Sequence, residues 1–149
     1  MKRLFYILML TVIMPMQLMA QKNLNIGRVL DGRYKKNPHV TDVVVAGQRL
    51  SGYSLSYYHS LTVDGDAQIM NDIAQAFKDD EPKATDKELS TIGGKLFSGF
   101  YQLEYNGEAN RFVFFKDMRQ SPSDKRNAVM IIYMEGYTSL SALKRKFKQ

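Results

Sequence analysis

FSGFYQLEYNGEANRFVFF, residues 97–115, and NAVMIIYMEG, residues 127–136, decide how this chain folds. Alternation through 97–105 places Phe97, Tyr101, Leu103 and Tyr105 on one face of a strand, with Gly99 as a bulge or a point of close approach. Asn106-Gly107 is a strong hairpin-turn dipeptide, because both residues tolerate positive φ. Residues 110–116 return as the partner strand. Residues 128–134 are nearly all apolar, which predicts a strand buried on both faces. Residues 117–126 between them form a polar loop with Pro122, the most exposed segment expected in the chain.

Upstream, residues 64–81 carry the clearest helical pattern. Ile69, Met70, Ile73, Ala74 and Phe77 form one wide apolar face, and Asp64 and Asp66 can cap its first amides. Residues 83–96 fit a short helix with a Thr85/Glu88 capping box, or a hairpin turning at Gly93-Gly94; the strand that follows at once favours the hairpin. Val43, Val44 and Val45 form a β-branched run typical of a buried strand. Residues 50–63 alternate as a strand but also fit a helical stripe; their serines and glycine favour strand. Residues 21–38 read as a short amphipathic helix around Leu24, Val29 and Leu30, ended by Asn37-Pro38. After Gly136, Thr138 or Ser139 can cap a final helix with Leu140, Leu143 and Phe147 on its apolar side.

Residues 1–20 have the layout of a cleaved signal peptide: Lys2 and Arg3, an apolar run, Pro15, and Ala20 at the cleavage position. The run is shorter than the ~20 residues a membrane span needs. The expected product is one exported domain, residues 21–149, in the periplasm or outside the cell, with no transmembrane segment after cleavage. The chain has no cysteine, which excludes disulfides, thiolate catalysis, Cys-ligated zinc and a lipoprotein anchor.

The net charge of +6 is uneven. Without Lys2 and Arg3, and without Lys144, Arg145, Lys146 and Lys148 at the end, 15 bases face 15 acids. A neutral body with a basic tail does not make a nucleic-acid-binding face. The tail complements the dipole of the last helix.

The chemical motifs are sparse. Asp64-Gly65-Asp66 with Asp72 lacks the spacing of a calcium loop. His39 and His59 show no paired-ligand spacing. No G-x-S-x-G occurs, and Ser141-Ala142-Leu143-Lys144 matches S-x-x-K without its partner motifs. Gly93-Gly94-Lys95 lacks the rest of a phosphate loop. The reading therefore assigns no catalytic residue, metal ligand or cofactor. Tyrosine is the one enrichment that suits a binding surface, though a tyrosine-rich core and sheet surface explains it more readily.

The signal-like start, DAQIMNDIAQAF, GGKLFSGFYQL, NRFVFF and VMIIYMEGYTSLSALK together resemble small exported bacterial α+β domains of unknown function. That resemblance implies an exported α+β fold and carries over no catalytic residue. The residues themselves predict an α+β single domain: an antiparallel sheet of four to six strands with two or three helices packed mainly on one face. The leading functional expectation is a non-catalytic binding or envelope-associated domain. Its expected binding face comprises Tyr101, Phe112, Phe114, Tyr53 and Tyr57, open to a protein or envelope partner or to a second copy. One alternative is an inhibitor presenting the 117–126 loop through Arg119, Ser121, Pro122 and Asp124; another is a small hydrolase using carboxylates.

Overall fold

A computed structural model describes residues 23–103, 109–123 and 125–147. The signal-like segment 1–20, Tyr105, the Asn106-Gly107 turn, Asp124 and Lys148 lie outside them.

Among the described residues, six strands form one open antiparallel sheet: β1 (Val40–Ala46), β2 (Leu55–Asp64), β3 (Ala84–Ile92), β4 (Lys95–Leu103), β5 (Asn110–Asp117) and β6 (Ala128–Gly136). Their order is β1-β2-β6-β5-β4-β3. Two α-helices accompany them, α1 (Ala67–Asp80) and α2 (Leu140–Phe147). The fold is α+β. The apolar run of β6 is explained by its central place between β2 and β5, where most of its side chains are buried on both faces.

Alternation along the strands divides the sheet into two faces. Face A carries Leu61, Val63, Tyr101, Leu103, Val113, Phe115, Val129, Ile131 and Tyr133, all packed with α1. Face B carries Phe100, Phe112, Ile132 and Met134, packed with Leu140 and Leu143 of α2. Asp66 caps α1 by accepting from the Ile69 N–H at 3.1 Å, whereas Asp64 stays on the surface. Ser139 Oγ accepts from the Ala142 N–H at 3.2 Å and starts α2.

The β3–β4 hairpin forms as expected, with Gly93 at φ 59° and Gly94 at φ 78°. Gly99 is a point of close approach: a Cβ there would lie 2.5 Å from Cζ of Phe77 and 2.8 Å from Cδ2 of Leu89. The bulge sits two residues earlier. Ser98 pairs with Ser90 but Leu96 pairs with Thr91, so Phe97 is the extra residue. The slip turns Leu96 to face A. Phe97 stands instead beside Lys116 of face B, so it does not share the face of Tyr101 as alternation predicted.

Three other expectations are corrected. Residues 23–38, the described part of the expected 21–38 helix, do not form an amphipathic helix; Asn25–Arg28 is a single 3-10 turn followed by further turns. Asp80 intercepts the backbone there, accepting from the Asn25 N–H at 2.7 Å and the Ile26 N–H at 2.8 Å. The apolar residues Leu24, Ile26, Val29 and Leu30 still enter the face A core. The valine run lies in β1, an edge strand rather than a buried one, with Val43 41% and Val44 51% exposed. The strand in 50–63 begins only at Leu55, after a 3-10 segment Gln48–Tyr53 and Ser54 at φ 56°.

Candidate functional site

An apolar groove lies on face B. Strand register sets Phe100, Phe114 and Ile132 side by side across β4, β5 and β6. Phe100 and Phe114 meet edge to face, with centroids 5.7 Å apart. On one side of this row, Phe112 and Met134 are sealed by α2. On the other side α2 has ended, and a groove of about 370 Å³ opens over Phe114, Met130 and Ile132. That volume lies at the small end of the range for small-molecule sites. Phe147, the last described residue of α2, overhangs it, half exposed and edge-on to Phe100.

The rim of this groove is polar. Ser90 and Ser98 line one side. Lys144 of α2 pairs with Glu88 of β3 and ties the helix to the sheet edge. Lys116 Nζ rests 5.7 Å from the Phe97 ring centroid, and no carboxylate pairs with it among the described residues. The arrangement can hold an apolar body against the sheet and an anionic end at Lys116.

A larger cleft of about 660 Å³ lies on face A, between α1 and the β3–β4 hairpin. Its wall carboxylates are engaged. Asp117 holds Arg119 at 2.8 Å, and Glu81 holds Lys87 at 2.9 Å. Hydrogen bonding to Asp117 raises the Arg119 guanidinium further above its ordinary value. These ion pairs leave the cleft without a free acid–base pair, so the smaller groove is the better candidate despite its size.

A polar string also runs along face A. His59 Nε2 lies 2.7 Å from Asp42 Oδ1, and His59 Nδ1 lies 3.5 Å from the Tyr57 hydroxyl. Tyr57 meets Tyr133 edge to face, and the Tyr133 hydroxyl donates to Glu135 at 2.6 Å. Burial, then the Glu135 hydrogen bond, pushes the Tyr133 phenol well above its ordinary value, while Arg111 pulls the other way. His59 is 5% exposed with both ring nitrogens engaged, so the string fastens β1 to β2 rather than meeting a substrate. Among the described residues no group of three or more His, Asp or Glu gathers as a metal site.

The expected binding residues scatter. Tyr101 is fully buried on face A, its hydroxyl donating to the Phe77 carbonyl at 2.9 Å. Phe112 is fully buried on face B under α2. The two lie on opposite faces, so they do not form one exposed surface. Tyr57 is half-buried on face A, and Tyr53 stands in the 3-10 segment with Lys146 near its ring. Phe114 alone of the five lines the groove.

The 117–126 segment is held down at its start rather than free. Arg119 folds back onto Asp117, Ser121 is buried, and the Arg126 N–H donates to the Met118 carbonyl at 3.2 Å. Pro122 and Ser123 are exposed. Reasoning from sequence missed Lys116, Met130 and the Glu88–Lys144 tie. Lys116 and Met130 continue the face B alternation of Phe112–Phe114 and Ile132–Met134, and that period was the available signal.

No curated protein and no solved structure matches this chain. A family described as DUF6108, a family of unknown function, matches residues 13–147. With nearly all of its length inside that match, the chain belongs to the DUF6108 family.

Proposed function

We propose that this protein is an exported, non-catalytic binding domain, and that its ligand is a small amphiphile with an apolar body and a carboxylate or similar anionic end. One observation carries this reading: the open apolar floor of Phe114, Met130 and Ile132 beside α2, with Lys116 at its rim and no carboxylate among the described residues paired with it. Export is supported by the signal-like residues 1–20. Among the described residues no helix is long and apolar enough to cross a membrane.

Calorimetric titration with dodecanoate, against dodecanol as the uncharged control, tests the site. Saturable binding of dodecanoate is expected, weakened at least tenfold in Lys116→Glu, with dodecanol bound more weakly by the unaltered protein. No binding of either probe, or equal binding by both proteins, overturns the assignment. Cell fractionation tests export separately; the full-length precursor retained in the cytoplasm overturns that part and leaves the groove untouched.

A further inference from the structure

The two edges of the sheet are built differently. β3 is guarded. It carries Asp86, Lys87 and Glu88 in succession, its pairing is irregular near both ends, and Lys87 and Glu88 reach cations or anions outside the strand. Such charges and bulges are the usual protection of a free edge. β1 has neither. Its pairing with β2 runs unbroken from Val40 to Ala46. Its one charge, Asp42, is turned inward onto His59. Val43 and Val44 are exposed at the centre of the strand.

The free hydrogen-bonding groups of β1 can be read from its register. The Asp64 N–H donates to the His39 carbonyl, and the Gly47 N–H donates to the Ser56 carbonyl. In an antiparallel ladder these bonded pairs recur at every second residue. The odd-numbered residues of β1 therefore face β2. Asp42, Val44 and Ala46 direct their N–H and C=O groups away from the sheet.

We propose that β1 pairs antiparallel with β1 of a second copy, joining two six-stranded sheets into one, and that this goes beyond the ligand groove and does not depend on it. The strand is self-complementary over its whole length in one register. With the two-fold axis at Val43, Asp42 of each copy stands opposite Val44 of the other. Both residues of each such pair present outward groups, so each pair exchanges two hydrogen bonds. Val43 packs on its own symmetry mate in the close, non-bonded position. Moving the axis to Asp42 would oppose two like charges and shorten the overlap. The body of the chain, 15 bases against 15 acids, has no net charge to hold two copies apart. An interface one strand wide makes a reversible dimer rather than an obligate one.

Sedimentation of the purified protein from about 1 to about 500 micromolar tests this. A monomer–dimer equilibrium is expected. Val44→Pro removes an outward N–H and no bond to β2, so it should stay folded by circular dichroism and sediment as a monomer. Val43→Lys, which places a charge against its mate, should weaken the dimer at least tenfold. Hydrogen exchange should show the amides of Asp42, Val44 and Ala46 protected only at high concentration. A monomer throughout the range, a dimer indifferent to both substitutions, or growth past the dimer through β1–β3 contacts would each overturn the proposal.

Discussion

The two faces of the sheet are made by the same strands, yet on one the side chains around Tyr101 and Phe115 are fully buried, while the other keeps Phe114 and Met130 half open. The two faces receive covers of different length. α1 has 14 residues and α2 has 8. At 1.5 Å per residue they reach about 21 and about 12 Å. Face A receives the longer cover and also Leu24, Ile26, Val29 and Leu30 from the N-terminal turns. Face B receives the shorter helix and keeps Phe114 and Met130 partly uncovered. Alternation builds two apolar faces whether or not there is chain enough to cover both. The uncovered remainder is the site of the proposed ligand groove.

The largest effect that would test this contrast is at Phe77. Its ring stacks on Tyr101 at 4.6 Å and on Phe115 at 5.0 Å between centroids, and it fills the space left by Gly99. Phe77→Ala should cost about 3–5 kcal/mol by urea unfolding. Phe114→Ala, at the open floor of face B, should cost less than half of that. Equal losses would erase the distinction between a sealed face and an open one.

Next comes Asp80. A carboxylate at the C-terminal end of a helix opposes the helix dipole. Here it is fully buried and accepts from two backbone N–H groups and the Asn25 side chain. Asp80→Ala leaves the Asn25 and Ile26 amides without their acceptor, at a cost of about 2–3 kcal/mol. Amide exchange should quicken first in residues 24–30 and leave the face B amides near α2 protected. Uniform loss of protection would mean that the N-terminal turns are not a separate cover.

Alkaline pH should act on face A through its two buried phenols. Burial, followed by the charges of Asp80 and Glu81, raises Tyr101 above its ordinary value; Tyr133 is raised by burial and Glu135. A raised folded value means the neutral phenol is the form the fold favours. Its stabilising contribution is complete below about pH 10, where the unfolded chain also keeps its protons. Above that pH the unfolded chain ionises first, and stability falls by about 1.4 kcal/mol per pH unit for each tyrosine. Absorbance near 295 nm (from tyrosinate) should therefore lag for two tyrosines and rise together with unfolding. Titration of every tyrosine before unfolding would contradict the sealed state of face A.

How much of this was legible without coordinates follows from the range of each interaction. The Gly93-Gly94 turn, the Asp66 cap and the apolar run of β6 are local signals, and all three stand where the residues put them. The valine run of β1 showed strand propensity but not position; only the order β1-β2-β6 makes it an edge. Phe97 was misplaced because a bulge shifts side-chain parity by one. His59 looked solitary because its partner, Asp42, is 17 residues away and is brought to it by the β1–β2 register. The expected helix at 21–38 yielded to Asp80, more than 50 residues along the chain. Of the groove residues, Phe114 alone stood among the expected binding residues, because the groove's wall is α2 and its rim joins β3, β5 and that helix.

The smallest expected effect sharpens the contrast most. Glu88 and Lys144 pair across the rim of the groove, with Glu88 58% exposed. An ion pair this open to water contributes at most about 1 kcal/mol. Glu88→Gln should therefore leave the urea midpoint nearly unchanged. It also removes the carboxylate that occupies Lys144, so two cations, Lys116 and Lys144, then face the groove. Dodecanoate affinity should rise by roughly two- to fivefold, the scale of one exposed ion pair, while dodecanol affinity stays constant. A fall in dodecanoate affinity would mean that the Glu88–Lys144 tie serves the groove by fixing α2 rather than by withholding a charge.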